Sequence, residues 1–224
     1  MSKHPHSSGF RRRRATARAL LAVGAVSMMA LLLVPYTPAD AYGNPLLERR
    51  QISHRDLGAF DQWTGILARY EWQHTAARAG CSDNSTCSSA QWEGLLSALK
   101  DAPFAVKLEE VNRFFNTVAY VSDEENYGSD YWQTPYEFMA RGGDCEDYVI
   151  AKYLSLKRLG VPARAMRVLV VTTDTQEPHA VLEVLAGDMP YILDNKVDEV
   201  LPESQVHHYA PLYAINESRW WAYK

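Results

Sequence analysis

Three residues in the second half of the chain, Cys145, His179 and Asp194, are of the types that catalyse nucleophilic attack on a carbonyl group. In such a group the cysteine attacks as the thiolate, the histidine takes the thiol proton and later protonates the leaving group, and the aspartate orients the imidazole. The oxyanion that forms needs hydrogen-bond donors. We expect these to be the backbone N–H of Cys145 and a second donor from Trp132 or Gln133. The residue types therefore predict acyl transfer through a cysteine nucleophile.

The charges around Cys145 oppose this chemistry unless a cation is present. The segment GGDCEDY places Asp144, Glu146 and Asp147 beside the thiol, and negative neighbours raise the pKa of a thiol. A divalent cation held by Asp144 and Glu146, together with Asp147 and Asp123, would reverse the local field. Ligands that are all oxygen favour calcium, although their spacing is not that of an EF-hand. In the alternative interpretation, the acidic residues only complement the dipole at a helix N-terminus.

A hairpin is expected to bring His179 and Asp194 together. The period of the apolar residues after residue 162 is two, which predicts strands on both sides of a tight turn. A two-residue turn between Ala186 and Met189 would set Asp194 opposite Val181, on the same face as His179. One more residue in the turn would move Asp194 to the other face. The pairing of histidine and aspartate therefore depends on the register.

Helices are expected before these strands. Apolar spacings of three and four predict four helices, over residues 46–79, 90–101, 105–121 and 145–159. The last of these would begin at Cys145. The polar, acidic segment 122–137 is typical of a loop, and the aromatic tail 208–223 predicts a further hairpin. Helices followed by antiparallel strands predict an α+β domain, with the nucleophile at a helix start and the helices packed on the sheet.

The first 41 residues have the order of a secretory signal peptide. Six basic residues precede an apolar run from Ala19 to Val34, and an A-x-A pattern ends at Ala41. We expect cleavage before Tyr42, which leaves a single domain over residues 42–224 that is exported and not inserted stably in a membrane. The alternative is an uncleaved anchor, although the run is shorter than the roughly 20 residues a spanning helix needs.

Charge and cysteine content add two expectations. The whole chain has a net charge of −4, and loss of a leader with six basic residues and one acidic residue makes it more acidic. Binding to nucleic acid through the net field is therefore not expected. Cys81 and Cys87 flank a short polar loop and could form a disulfide in an oxidising compartment, which leaves Cys145 as the odd thiol.

The segments around the candidate residues resemble a known family. The stretch DYWQTPYEFMARGGDCEDYVIAKYLSLKRLGVP, followed by HAVLEV and ILDN, is similar to the bacterial transglutaminase-like cysteine proteinases, and among them to LapG-type periplasmic proteases. The similarity extends over about residues 46–215. It implies a transglutaminase/papain-like fold, a triad of Cys145, His179 and Asp194, and calcium bound by Asp144 and Glu146, on which activity depends.

The same resemblance implies a biological role. Members of the LapG type act in the periplasm and cleave a large surface adhesin near its N-terminus, at a site with paired alanines, and this releases the adhesin and promotes biofilm dispersal. Their partner is an inner-membrane cyclic di-GMP receptor of the LapD type, which sequesters the protease. These statements come from the resemblance alone.

Three other interpretations of the same residues are open. A transglutaminase or amidase would pass the acyl group to an amine or act on an amide with the same triad. A calcium-stabilised binding module would carry the thiol without using it. The residues Cys145, His179 and Asp194 could also bind zinc, although the acidic neighbours are then superfluous.

Overall fold

The computed structural model describes residues 51–79 and 90–223, in which helices come mostly before strands. The predicted leader at 1–41 and the predicted disulfide between Cys81 and Cys87 lie outside these residues. Within them the helices are α1 (Asp61–Ala79), α2 (Ala90–Leu99), α3 (Phe104–Asn116), α4 (Asp123–Asn126), α5 (Pro135–Arg141) and α6 (Cys145–Arg158). Among the described residues, no helix is both long and apolar enough to cross a membrane.

The strands form one antiparallel sheet of seven, of which the first precedes the helices and the other six follow them. The strands are β1 (Gln51–His54), β2 (Met166–Thr172), β3 (Pro178–Ala186), β4 (Met189–Asp194), β5 (Val197–Pro202), β6 (Ala210–Ile215) and β7 (Trp220–Tyr223). Their order in the sheet is β1-β7-β6-β2-β3-β4-β5, and each neighbouring pair is antiparallel. The predicted α+β class is therefore confirmed.

Helix α6 is the central helix of the core. All residues from Asp147 to Leu156 are buried, because one side of the helix packs on β2 and β3 and the other side packs on α3 and α5. It ends at Arg158, and Gly160, two residues later, has φ +91°, a conformation that glycine adopts without steric cost. The sequence signals of a start at Cys145 and a stop at Gly160 therefore agree with the structure.

The β3–β4 hairpin has the register on which the site depends. Ala186 pairs with Met189 and Leu182 pairs with Leu193, so the turn contains two residues. Gly187, the first of them, has φ +63°, as a type II′ turn requires. The predicted register is confirmed, and it places residues 179 and 194 on the same face of the sheet.

Three element predictions differ from the structure. Residues 51–54 form β1 instead of the start of a helix, because they pair with β7 and His54 stacks on Trp220 at 4.4 Å between ring centroids. The segment 122–137, expected as a loop, contains α4 and the start of α5. Their N-caps are Ser122 and Thr134, whose side chains accept hydrogen bonds from the backbone N–H three residues later. Strand β5 was not predicted.

Candidate active site

His179 and Asp194 form a buried pair where β3 begins and β4 ends. The Nε2 atom of His179 lies 2.9 Å from Oδ1 of Asp194, and the two residues are 3% and 4% exposed. The same Oδ1 accepts a hydrogen bond from the backbone N–H of Lys196 at 3.0 Å. The hairpin register explains this contact, because a slip of one residue would turn one of the two side chains to the opposite face.

Tyr209 completes the hydrogen bonding of Asp194 and was missed in the sequence. Its hydroxyl donates to Oδ2 of Asp194 at 2.6 Å, and its ring centroid lies 5.5 Å from that of His179. No local pattern singles out this tyrosine, because Asp194 ends β4 and Tyr209 lies just before β6. The two residues meet only when the sheet is assembled.

The carboxylate of Asp194 is held in its ionised form. Burial acts to raise its pKa, but hydrogen bonds from His179, Tyr209 and the Lys196 N–H outweigh burial and lower the pKa to about 2. An ionised carboxylate on one ring nitrogen fixes the orientation of the imidazole.

Cys145 lies at the N-terminus of α6 and next to the start of β3. The backbone N–H of Ala180, the residue after His179, lies beside the sulfur and acts to lower the pKa of the thiol. The thiol in turn donates to Oε2 of Glu146 at 3.1 Å. Because Cys145 is the first residue of the helix, its own N–H has no intrahelical acceptor and is available to an oxyanion.

The environment of the thiol disfavours its ionisation. Burial is the largest cause that raises the pKa of Cys145 far above its usual value, followed by the charge and the hydrogen bond of Glu146. The backbone N–H of Ala180 acts in the opposite direction and does not offset these effects. The thiol therefore needs additional positive charge nearby before it becomes a nucleophile.

Asp123, Asp144 and Glu146 form an acidic cluster beside the thiol. One carboxylate oxygen from each lies within 4.8 Å of the others. Oδ1 of Asp123 and Oδ1 of Asp144 are buried and have no hydrogen-bond partner in the described residues, whereas Oδ2 of Asp123 accepts the N–H of Tyr131 at 2.6 Å. Burial and the charge of Glu146 raise the pKa of Asp144 to about 7. Unpaired, converging carboxylate oxygens fit a hard divalent cation.

Two predicted roles need correction, and both concern one hydrogen-bonded pair. The carboxylate of Asp147 accepts from the backbone N–H and the side-chain amide of Gln133, at 2.7 and 2.6 Å, and from the N–H of Asp144 at 3.2 Å. Asp147 is therefore fully hydrogen-bonded and lies outside the acidic cluster. The amide of Gln133 also donates to the carbonyl of Gly142 at 2.9 Å, so Gln133 has no donor left for an oxyanion.

The backbone groups of Trp132 are already hydrogen-bonded and cannot serve as the predicted oxyanion donor. The backbone N–H of Trp132 donates to Oε1 of Gln62 at 3.3 Å, and its carbonyl accepts from Arg69. Only the indole N–H of Trp132 could serve an oxyanion, and this role stays a prediction.

The two glycines before Asp144 serve packing inside the protein. Gly142 has φ +75°, and a Cβ there would lie 2.5 Å from the carbonyl oxygen of Ala119. A Cβ on Gly143 would lie 2.1 Å from Oδ2 of Asp147. Both positions therefore require glycine so that the loop before α6 can pack closely on its neighbours.

Comparison with known proteins places this site in a family. The model of the bacterial transglutaminase-like cysteine proteinases matches residues 75–222, a range that contains the cysteine, the histidine–aspartate pair and the acidic cluster. No curated protein sequence matches the chain.

Solved structures of LapG from Legionella pneumophila are similar to the chain. The calcium-bound form has 32% sequence identity and a TM-score of 0.58, and the alignment covers 68% of this chain and 87% of LapG. An EGTA-treated form has the same identity and TM-score, with 69% and 86% covered. The family match covers well over half of the chain, and the arrangement of helices and antiparallel sheet is that of a transglutaminase-like cysteine protease. The chain therefore belongs to the bacterial transglutaminase-like cysteine proteinases and is of the LapG type.

Proposed function

We propose that this protein is a calcium-dependent cysteine endopeptidase with Cys145 as nucleophile, His179 as general base and acid, and Asp194 as the residue that orients the histidine. The observation that carries the proposal is the buried contact of 2.9 Å between His179 and Asp194, on a strand whose next residue, Ala180, has its backbone N–H beside the Cys145 sulfur. A nucleophile, a base and an orienting carboxylate are thus in one place.

The residues divide the reaction into two steps. The thiol proton of Cys145 passes to His179, the sulfur attacks the peptide carbonyl, and the Cys145 N–H donates to the oxyanion. The imidazolium then protonates the leaving amine, which leaves a thioester. Water, deprotonated by His179, attacks the thioester and regenerates the thiol. Asp194, ionised because its pKa is about 2, stabilises the imidazolium in both steps.

Asp123, Asp144 and Glu146 are the residues that would hold calcium. The three offer oxygen atoms within 4.8 Å of one another, and the relative from Legionella pneumophila is described in a calcium-bound form. Bound calcium would supply positive charge beside the thiol, which offsets the negative field of the cluster. Glu146 connects the two sites, since it accepts the hydrogen bond of the Cys145 thiol and belongs to the cluster.

The proposed biological role follows from membership of the LapG type. After export to the periplasm, the protease cleaves the N-terminal region of a large surface adhesin at paired alanines, which releases the adhesin and promotes biofilm dispersal. A LapD-type cyclic di-GMP receptor in the inner membrane sequesters the protease when the nucleotide is abundant. The family match and the LapG similarity support this role.

Cleavage of an adhesin fragment tests the proposal. The chain from Tyr42 is incubated with an N-terminal adhesin fragment that contains paired alanines, in excess calcium and in EGTA. We expect cleavage in calcium and none in EGTA, none with Cys145→Ala, and none when the paired alanines are replaced. Incorporation of an amine into the fragment in place of cleavage would favour a transglutaminase. A Cys145→Ala variant with normal cleavage would contradict the proposal.

A further inference from the structure

A buried lysine lies under the active site and has no part in the chemistry described so far. Lys152 is on α6 and is 0% exposed. Its Nζ donates to Oδ1 of Asn116 at 2.7 Å and lies 5.8 Å from the ring centroid of Tyr148. Removing an ammonium group from water costs several kcal/mol, so a buried lysine usually has a specific hydrogen-bonding role.

Asn116, the last residue of α3, connects this lysine to Asp194. Its Nδ2 lies 3.0 Å from the backbone carbonyl oxygen of Asp194, 3.1 Å from that of Val197 and 3.0 Å from Oδ1 of Asp198. All three groups accept hydrogen bonds. The ammonium of Lys152 only donates, so the amide oxygen of Asn116 must face it and the NH₂ group must face the carbonyls. The hydrogen bond from Lys152 therefore fixes the same orientation of the amide that the three acceptors require.

The bonds of Asn116 hold the backbone at the point where the Asp194 side chain begins. The carboxylate itself is bonded to His179, Tyr209 and the Lys196 N–H. Its direction also depends on the peptide to which it is attached, and Asn116 is the side chain bonded to the carbonyl of that residue. A shift of the turn after β4 would move the carboxylate away from the imidazole.

Asn112 provides a comparison one helical turn earlier. Its Nδ2 donates to the carbonyls of Val197 and Asp198, each at 2.9 Å. It therefore binds the same turn with the same chemistry, but it makes no contact with Asp194. Variants of the two asparagines therefore distinguish a general loosening of the turn from loss of the bond to Asp194.

We propose that Asn116, oriented by Lys152, is a positioning residue that fixes the backbone of Asp194 and thereby the contact between Asp194 and His179. The inference rests on the proposed function, because it assumes that this contact orients the histidine. Burial lowers the pKa of Lys152 to about 7, and the charges of Asp194 and Asp198 act against that change, which agrees with a lysine placed beside these carboxylates.

Three variants of the protein from Tyr42 test the inference. Asn116→Asp keeps the volume and the acceptor for Lys152 but removes both amide donors. Lys152→Met removes the ammonium at similar volume. Asn112→Asp makes the same chemical change as Asn116→Asp without a contact to Asp194. Near-ultraviolet circular dichroism selects the variants that fold, and if one of the two test variants does not fold, the other decides.

The readouts need no peptide substrate, so they are independent of what the enzyme cleaves. The first is the low-field proton resonance of the hydrogen bond between His179 and Asp194, assigned by its loss in Asp194→Asn. The second is the rate of alkylation of Cys145 by iodoacetamide in calcium, since the thiolate depends on an oriented imidazolium.

We expect Asn116→Asp and Lys152→Met to shift or abolish the resonance and to slow alkylation about tenfold, as small misplacements of catalytic groups do. Asn112→Asp should change both readouts clearly less than Asn116→Asp, because it loosens the turn without removing a bond to Asp194. Unchanged readouts in the folded test variants would overturn the inference, and so would an equal effect of Asn112→Asp. If the readouts respond as expected and the adhesin fragment is not cleaved, only the proposed substrate fails.

Discussion

At the residue scale, the site combines a thiol that resists ionisation with a buried, hydrogen-bonded histidine–aspartate pair. Glu146 accepts the thiol hydrogen bond of Cys145 at 3.1 Å, and its charge raises the pKa of the thiol in addition to burial. The pKa of Asp194 is about 2, so its carboxylate is ionised throughout the physiological range. The environment therefore opposes ionisation of the thiol, and a cation bound to the carboxylates next to it would favour that ionisation.

Removal of any one of the three proposed catalytic side chains should remove most of the activity. We expect Cys145→Ala, His179→Ala and Asp194→Asn each to lower kcat/KM for the adhesin fragment by roughly 10³-fold or more, because the three act as one unit. The double variant of Cys145 and His179 should be little worse than either single one. Thermal unfolding of each variant checks that the fold is kept, and near-normal cleavage by any of them would contradict its assigned role.

Protonation of Asp194 should contribute to acid denaturation. The folded pKa of this carboxyl group, about 2, lies below its usual value of 3.8, so its stabilising effect is complete above about pH 4 and is lost as the pH falls toward 2. The difference in free energy of unfolding between the wild type and Asp194→Asn should therefore shrink by up to about 2 kcal/mol in that window. Urea denaturation at pH 5, 4 and 3 measures it. A constant difference would show that Asp194 is not held in its ionised form.

At the element scale, the loop before α6 positions Asp144 and Cys145 as much as the helix itself does. Gln133 and Asp147 connect the segment before α5 to the first turn of α6 through two hydrogen bonds, and Gly143 lies directly against them. The loop carbonyl of Gly142 accepts a further bond from Gln133. Asp147 therefore stabilises the position of Asp144 and Cys145 without binding the cation itself.

A methyl group on Gly143 should disturb this loop. Because a Cβ there would lie 2.1 Å from Oδ2 of Asp147, we expect Gly143→Ala to lower the free energy of unfolding by about 1–3 kcal/mol and to reduce cleavage. Gly94→Ala is the matched control, since Gly94 is within α2 and a Cβ there meets nothing within 4 Å. This control should stabilise the protein by about 0.5–1 kcal/mol. Urea denaturation compares the two variants, and equal effects would contradict the packing argument.

At the scale of the whole molecule, the acidic cluster connects segments that are separate in the chain. Asp123 belongs to α4, whereas Asp144 and Glu146 flank the first residue of α6. A cation that binds all three would therefore hold α4 against the start of α6. Such a ligand stabilises only the folded state, so its binding energy adds to the free energy of unfolding.

Calcium should raise the stability of the protein through this cluster. At a calcium concentration 100 times the Kd, we expect a gain of about 2.7 kcal/mol and a higher Tm. Asp123→Asn should weaken calcium binding about tenfold or more, as loss of a charged ligand does. Asp130→Asn is the control, because it removes a neighbouring exposed carboxylate that is not in the cluster. Titration calorimetry and thermal unfolding measure both, and an equal loss in the two variants would show that only the net charge matters.

Features encoded within short stretches could be predicted from the sequence. The start of α6 at Cys145, the stop at Gly160 and the hairpin register depend on caps, turn residues and apolar periods that are local. The start of the first long helix was predicted too early, because residues 51–54 pair with the last strand, 166 or more residues away. The caps at Ser122 and Thr134 were also local signals, but the polar composition of the segment hid them.

Residue types and their spacing were enough to identify which side chains could do the chemistry and which local elements present them. They thereby predicted the cysteine at a helix start, the histidine and aspartate on one hairpin, and carboxylates beside the thiol. The bonds of Tyr209 and Asn116 to Asp194, the bond of Gln133 to Asp147 and the position of Asp147 outside the acidic cluster became known only from the folded chain. These hydrogen bonds join segments whose separation depends on how α3, α5 and α6 pack on the sheet, and no local spacing encodes that packing.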